Sequence, residues 1–181
     1  MTDLAHRTGL PEGLRILADQ MPRDTWEGHE NFDGLTRFWM ERHLMFREVL
    51  GRLQTGSQAY LDGNREAQSY IHETGRYAGF LLNQLHEHHT IEDDHYFPKL
   101  TILEPRLMAG FELLDRDHQA LDGHISALAD RTNAVLRGVS RDTAGALETH
   151  LAQFKTFLNR HLLDEEDLVV PIILTHGGVD L

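Results

Sequence analysis

The 181-residue chain contains no cysteine. That excludes thiolate metal sites, cysteine nucleophiles, disulfide staples and protein-ligated iron–sulfur clusters, and leaves nitrogen and oxygen as the strong ligand types. Positive charge is scarce: 17 Lys and Arg stand against 29 Asp and Glu, a formal charge of −12. A basic face for nucleic-acid phosphates is therefore not expected. Long apolar runs are also missing, and nothing approaches the roughly 20 residues that a membrane-spanning helix needs. The opening MTDLAHRTGL lacks the charged and apolar regions of a signal peptide. These absences give the expectation of a soluble cytoplasmic protein with no nucleic-acid or membrane partner, folded around its own core. Histidine is the residue in excess, with 13 copies.

The densest histidine stretch reads HEHHTIEDDHYFP over residues 86–98. It places a histidine, a glutamate four residues later and a proline six residues after that: His88, Glu92 and Pro98. A second copy, HLLDEEDLVVP, repeats the spacing as His161, Glu165 and Pro171.

Apolar periodicity supplies the framework. Residues 1–31 carry Pro11, Gly13, Pro22 and Gly28 without sustained periodicity and read as an irregular N-terminal arm; His6 and His29 are expected in solvent, with Trp26 and Phe32 packing the arm down. The remainder, 32–181, reads as four helices. The first begins near Asp33 with Trp39, His43, Phe46 and Leu50 on one stripe; Gly51 and Gly56 weaken it, and Asp62-Gly63-Asn64 ends it. The second runs from about Arg65 to Phe97, with His88, Glu92 and His95 on the stripe and His72, His86 and His89 off it. Pro98 ends or kinks it, and residues 98–109 form the longest connection. The third, from about Gly110 to Leu136, puts His118 on its stripe with Asp122 beside it. The fourth, from about Arg141 to Val170, carries His161 and Glu165 inward with His150 off that face, and leaves His176 in a tail. Four amphipathic helices with two short connections predict an all-α, up-down-up-down antiparallel four-helix bundle.

The turn at 62–64 lies halfway between His43 and His88, and the turn at 138–140 lies halfway between His118 and His161. Equidistance from a hairpin turn puts each pair at one level, so the chain reads as a duplicated helical hairpin. Packed face to face, the hairpins gather four imidazoles and two carboxylates into one core. Two buried carboxylates without a cation are costly. Iron, manganese and zinc all suit such donors, and a pair of carboxylates suits bridging two ions. His95 and Asp122 are expected as pocket wall or hydrogen-bonding groups, and the remaining acidic residues of 92–94 and 164–167 as solvated surface.

These residues resemble the hemerythrin-like family, also called the HHE cation-binding domain, over about residues 33–172. The likeness rests on one histidine in each helix and on the two His-x-x-x-Glu motifs followed by an acidic residue and an apolar-Pro step. It implies a non-haem centre of two iron ions, with zinc or manganese as alternatives, joined by an oxo or hydroxo bridge. His43, His88, His118 and His161 would be terminal ligands, and Glu92 and Glu165 bridges. The four-His, two-Glu set is more similar to the branch linked to iron-centre repair and nitric oxide than to the oxygen carriers, which have a histidine where this chain has Asp122. The expected activity is binding or reduction of dioxygen, peroxide or nitric oxide. The alternative is an iron donor, store or sensor, with a protein acceptor of iron as partner. A ferritin-like reading fails because its glutamate and histidine three residues on, present as Glu92 and His95, have no counterpart after Glu165, where Leu168 stands.

Overall fold

Helix termini set the architecture. In the computed structural model, which describes residues 3–32 and 34–178, five α-helices follow one another: α1 (Gly34–Leu61), α2 (Ala67–Ile91), α3 (Phe97–Leu103), α4 (Met108–Arg137) and α5 (Arg141–His176). No strand occurs among the described residues, and the chain is an all-α helical bundle. Asp33, expected as the start of α1, and residues 1–2 and 179–181 lie outside the described residues. Among those described, no helix is long and apolar enough to cross a membrane.

By contacts the chain divides into two compact units, one of Met1–Leu44, His89–Gln119 and Asn159–Leu181, the other of Met45–His88 and Ala120–Leu158. The second is built from two helical hairpins around Phe46, Leu50, Leu81, Leu128, Leu147 and Phe154, all buried. Gly51 and Gly56 leave α1 unbroken, because the buried stripe outweighs a propensity cost of about 1 kcal/mol each. Gly63 ends α1 in the left-handed region at φ 76°. The amides of Gly63 and Asn64 return to Tyr60 and Ala59 at 3.0 and 2.8 Å, a Schellman closure. Asn64 thus finishes α1 rather than capping α2, which begins at Ala67 instead of Arg65. At the other turn Ser140 and Thr143 exchange hydrogen bonds, Thr143 N–H to Ser140 Oγ at 3.1 Å and Ser140 N–H to Thr143 Oγ1 at 2.9 Å, a reciprocal cap for α5. His150, off the inward stripe, is also buried, and donates from Nε2 to the His124 carbonyl at 2.9 Å.

The first unit departs further from periodic expectation. Residues 92–96 form a π-helical turn, and α3 follows directly. Pro98 therefore neither ends the helical path nor opens a loop. It sits in the first turn of α3, directly after the π turn. The expected connection at 98–109 is mostly α3 and the single 3₁₀ turn Pro105–Leu107. Helix α5 likewise continues through Pro171 to His176. An interior proline costs about 3 kcal/mol, but residues 168–174 are buried without exception, and that apolar surface holds the helix together. The arm lies against this surface: Leu10 and Leu17 join a cluster with Trp39, Phe111, Leu168 and Ile172, and Trp26 packs with Val170 and Leu174. His6 is exposed as expected, whereas His29 is half-buried.

Candidate metal centre

Glu92 opens the π turn, and the wider turn changes the facing of the residues beyond it. In an α-helix His95 would share the face of Glu92. The extra residue of a π turn rotates the later positions, so His95 is exposed, while Phe97 is buried and stacks on His118 with ring centroids 5.6 Å apart. His95 is accordingly no pocket wall. Asp122 is also exposed, which removes it as a hydrogen-bonding group of the site.

All six residues singled out by spacing, His43, His88, Glu92, His118, His161 and Glu165, are buried. Their donor atoms fall into two groups. Within the first unit His43, Glu92 and Glu165 have donor atoms within 4.8 Å of one another; so do His118 and His161, together with His89, while His88 closes the second unit. His89 is the residue that the apolar stripe misplaces: it is buried and stacks on the His118 ring at 4.1 Å.

Orientation of the imidazoles obeys one rule. His43 turns Nδ1 to Glu166 at 2.9 Å and Nε2 to Glu165 at 3.2 Å. His118 turns Nδ1 to Asp93 at 2.9 Å, and His161 turns Nδ1 to Asp117 at 3.5 Å. In the last two, Nε2 is buried without a hydrogen-bond partner among the described residues. The nearest carboxylate oxygens are those of Glu92, 3.6 Å from His118 Nε2, and Glu165, 3.5 Å from His161 Nε2. Such spacings are too long for good hydrogen bonds and suit two donors that share a cation. A carboxylate on Nδ1 fixes the tautomer that leaves Nε2 free to ligate. Trp39 Nε1–H donates to Glu165 Oε1, holding that carboxylate from the side.

The residue after each glutamate carries part of this scheme. Asp93, next to Glu92, holds His118; Glu166, next to Glu165, holds His43. Each half of the repeat thus orients the first-helix histidine of the other half. Asp164 and Glu166 are buried rather than solvated, and so is Asp117. Arginines of the arm neutralise them. The buried Arg7 pairs with Asp117 and, from Nε, with Asp164 at 2.7 Å; Arg23 reaches Glu166 at 2.6 Å and Asp167 at 2.8 Å. Arg160 completes the Asp164 pair at 2.6 Å and donates to the Thr8 carbonyl at 2.7 Å. The arm is therefore fixed by the buried ion pairs of Arg7 to the group that aims His161, and by the more exposed Arg23 to the group that aims His43.

Electrostatics agree with a cation site. Burial, then the charge of Glu165, pushes the Glu92 carboxyl well above its ordinary value. Burial opposes a charge on His43, but Glu165 and Glu166 outweigh it and raise its pKa. For His161 burial prevails, with the neighbouring His118 in the same sense, and its pKa is lowered in spite of Asp117. A buried pair of carboxylates facing imidazole nitrogens is a donor set for a borderline divalent ion, so the residues present fit a metal.

Residues 34–173 match the family described as hemerythrin HHE cation binding domain. Comparison with curated proteins and with solved structures gave no match.

Proposed function

From a chain that belongs to the hemerythrin HHE cation-binding family, we propose a non-haem diiron protein that binds or reduces a small oxidant: dioxygen, peroxide or nitric oxide. The proposed ligands are His43, His88, His118 and His161, with Glu92 and Glu165 bridging. The observation that carries the reading is the pair of buried, unbonded Nε2 atoms of His118 and His161, each facing a glutamate oxygen at about ion-sharing distance, 3.6 and 3.5 Å. A bound iron pair supplies the electrons and the open coordination positions for the oxidant.

The chain's own residues do the rest. Glu166, Asp93 and Asp117 keep Nε2 of three histidines pointed inward. Trp39 steadies Glu165, and Phe46, with its ring centroid 5.0 Å from that of His88, gives that imidazole an apolar neighbour. An apolar neighbour excludes water and strengthens the charge interactions beside it. We take residues 1–31 as an arm that packs on the bundle of 32–181 and buttresses the site.

The test is the optical spectrum of reduced, iron-loaded protein exposed separately to oxygen, peroxide and nitric oxide. A visible band that appears with one of them supports oxidant chemistry. No change with any of them, together with iron transfer to an apo-acceptor, favours the donor or store instead.

A further inference from the structure

Resting on the two-metal reading above, we propose that His89 is a further metal ligand, the third imidazole on the ion held by His118 and His161. The three side chains are buried and have donor atoms within 4.8 Å of one another. Three donors on one ion with bonds of about 2.1 Å lie about 3.0–3.6 Å apart, so the cluster closes on a cation with side-chain shifts of up to about 1 Å. Ring geometry points the same way. His89 and His118 stack at 4.1 Å with planes 16° apart, His89 meets His161 edge-on at 5.6 Å and 83°, and His118 meets His161 at 4.8 Å and 67°. Stacked imidazoles present their nitrogens side by side instead of to each other, as an in-plane hydrogen bond between them would require. A tripod of nitrogens on a common centre is the arrangement that this packing serves.

The consequence is an unequal pair of positions. One ion takes three imidazoles, from His89, His118 and His161; the other takes two, from His43 and His88. Glu92 and Glu165 are shared between them. Adjacent residues of one helix, His88 and His89, then serve different ions, since successive side chains diverge by about 100° around an α-helix.

The decisive experiment is done on the intact chain labelled with ¹⁵N and loaded with zinc. Side-chain nitrogen spectra count the histidines whose imidazoles shift on loading. Five shifted histidines, His89 among them, is the expected result; four shifted with His89 unmoved overturns the proposal. In parallel, His89→Gln and His86→Gln are loaded with ferrous iron without oxygen and then passed through chelator. Helix α2 exposes His86, so its variant should hold iron like the parent, about two ions per chain, whereas His89→Gln should fall to about one. A parent chain that retains no iron sinks the two-metal reading itself. A parent and a His89→Gln variant that both retain two ions sink only the assignment of His89. Should His89→Gln fail to fold, the zinc spectra of the parent still decide.

Discussion

Glu92 and Glu165 share one buried space, and the metal-free chain bears the cost. Because burial and Glu165 raise the Glu92 pKa above 4.5, the folded chain keeps a proton there that the unfolded chain releases. Stability of the metal-free protein therefore falls as pH rises above that value. Asp117 works in the opposite sense, but His161 and Arg7 outweigh burial and hold it below 3.8, so it acts only in stronger acid. His161, lowered by burial, opposes Glu92 below 6.5 with a smaller shift, and His43, raised by Glu165 and Glu166 against burial, adds to Glu92 above 6.5. Thermal melts of metal-free protein should give a higher midpoint near pH 5 than near pH 7. Glu92→Gln should raise the neutral-pH midpoint and weaken iron retention at the same time, a pairing of gains and losses that a purely structural glutamate would not produce. Arg7 is the second residue with a sharp expectation. Arg7→Met leaves Asp117 with no arginine and Asp164 with Arg160 alone, and breaking a buried pair from one side costs about 3–5 kcal/mol. Urea unfolding measures that loss. Release of iron to chelator should also quicken by about 10–100-fold, because His161 loses the anchor behind its Asp117 partner.

At the scale of elements, the close approach of α4 to α5 rests on Gly110. A Cβ built there would lie 2.7 Å from Leu168 Cδ1, three residues beyond Glu165. Gly110→Ala should lower stability by about 1–3 kcal/mol through overpacking, in spite of alanine's better helix propensity, as a denaturant titration would show. The start of α4 is tied differently. Arg106 donates twice to Glu104 at 2.6 Å, and His176 at the end of α5 lies 3.6 Å away. The Arg106 hydrogen bonds hold Glu104 down to about 2. This contribution is present above the ordinary 4.5 and disappears as pH falls toward 2. Arg106→Ala should move the Glu104 titration, followed by NMR, up toward 4.5.

For the whole molecule, the duplicated hairpin and its two His-x-x-x-Glu motifs are legible because inward residues recur every three or four positions. His43, His88, His118 and His161 sit on that stripe, and all are buried. Three things escape periodicity. The π turn after Ile91 resets the register, so a straight count forward from Glu92 puts His95 on the wrong face; the proline six residues past the glutamate is the available signal. Residues beside a stripe histidine, His89 next to His88 and Asp117 next to His118, fall off the stripe although both are buried. A single stripe cannot show a second covered face, and for Asp117 the cover is Arg7 of the arm. The acidic residues after each glutamate look like solvated surface because charge runs usually are. Their repetition at matching places, as Glu92-Asp93 and Glu165-Glu166, is the sign of a shared role. Removal of metal should lower the melting temperature of the whole chain, since the cation offsets two buried carboxylates.

The central claim is that these imidazoles and carboxylates hold two metal ions side by side. X-ray absorption at the iron edge of the iron-loaded protein tests it most directly. The expected result is a first shell of nitrogen and oxygen alone and a second iron at about 3.5–4 Å. An iron with no metal neighbour, or a chain that takes up no iron, would contradict it.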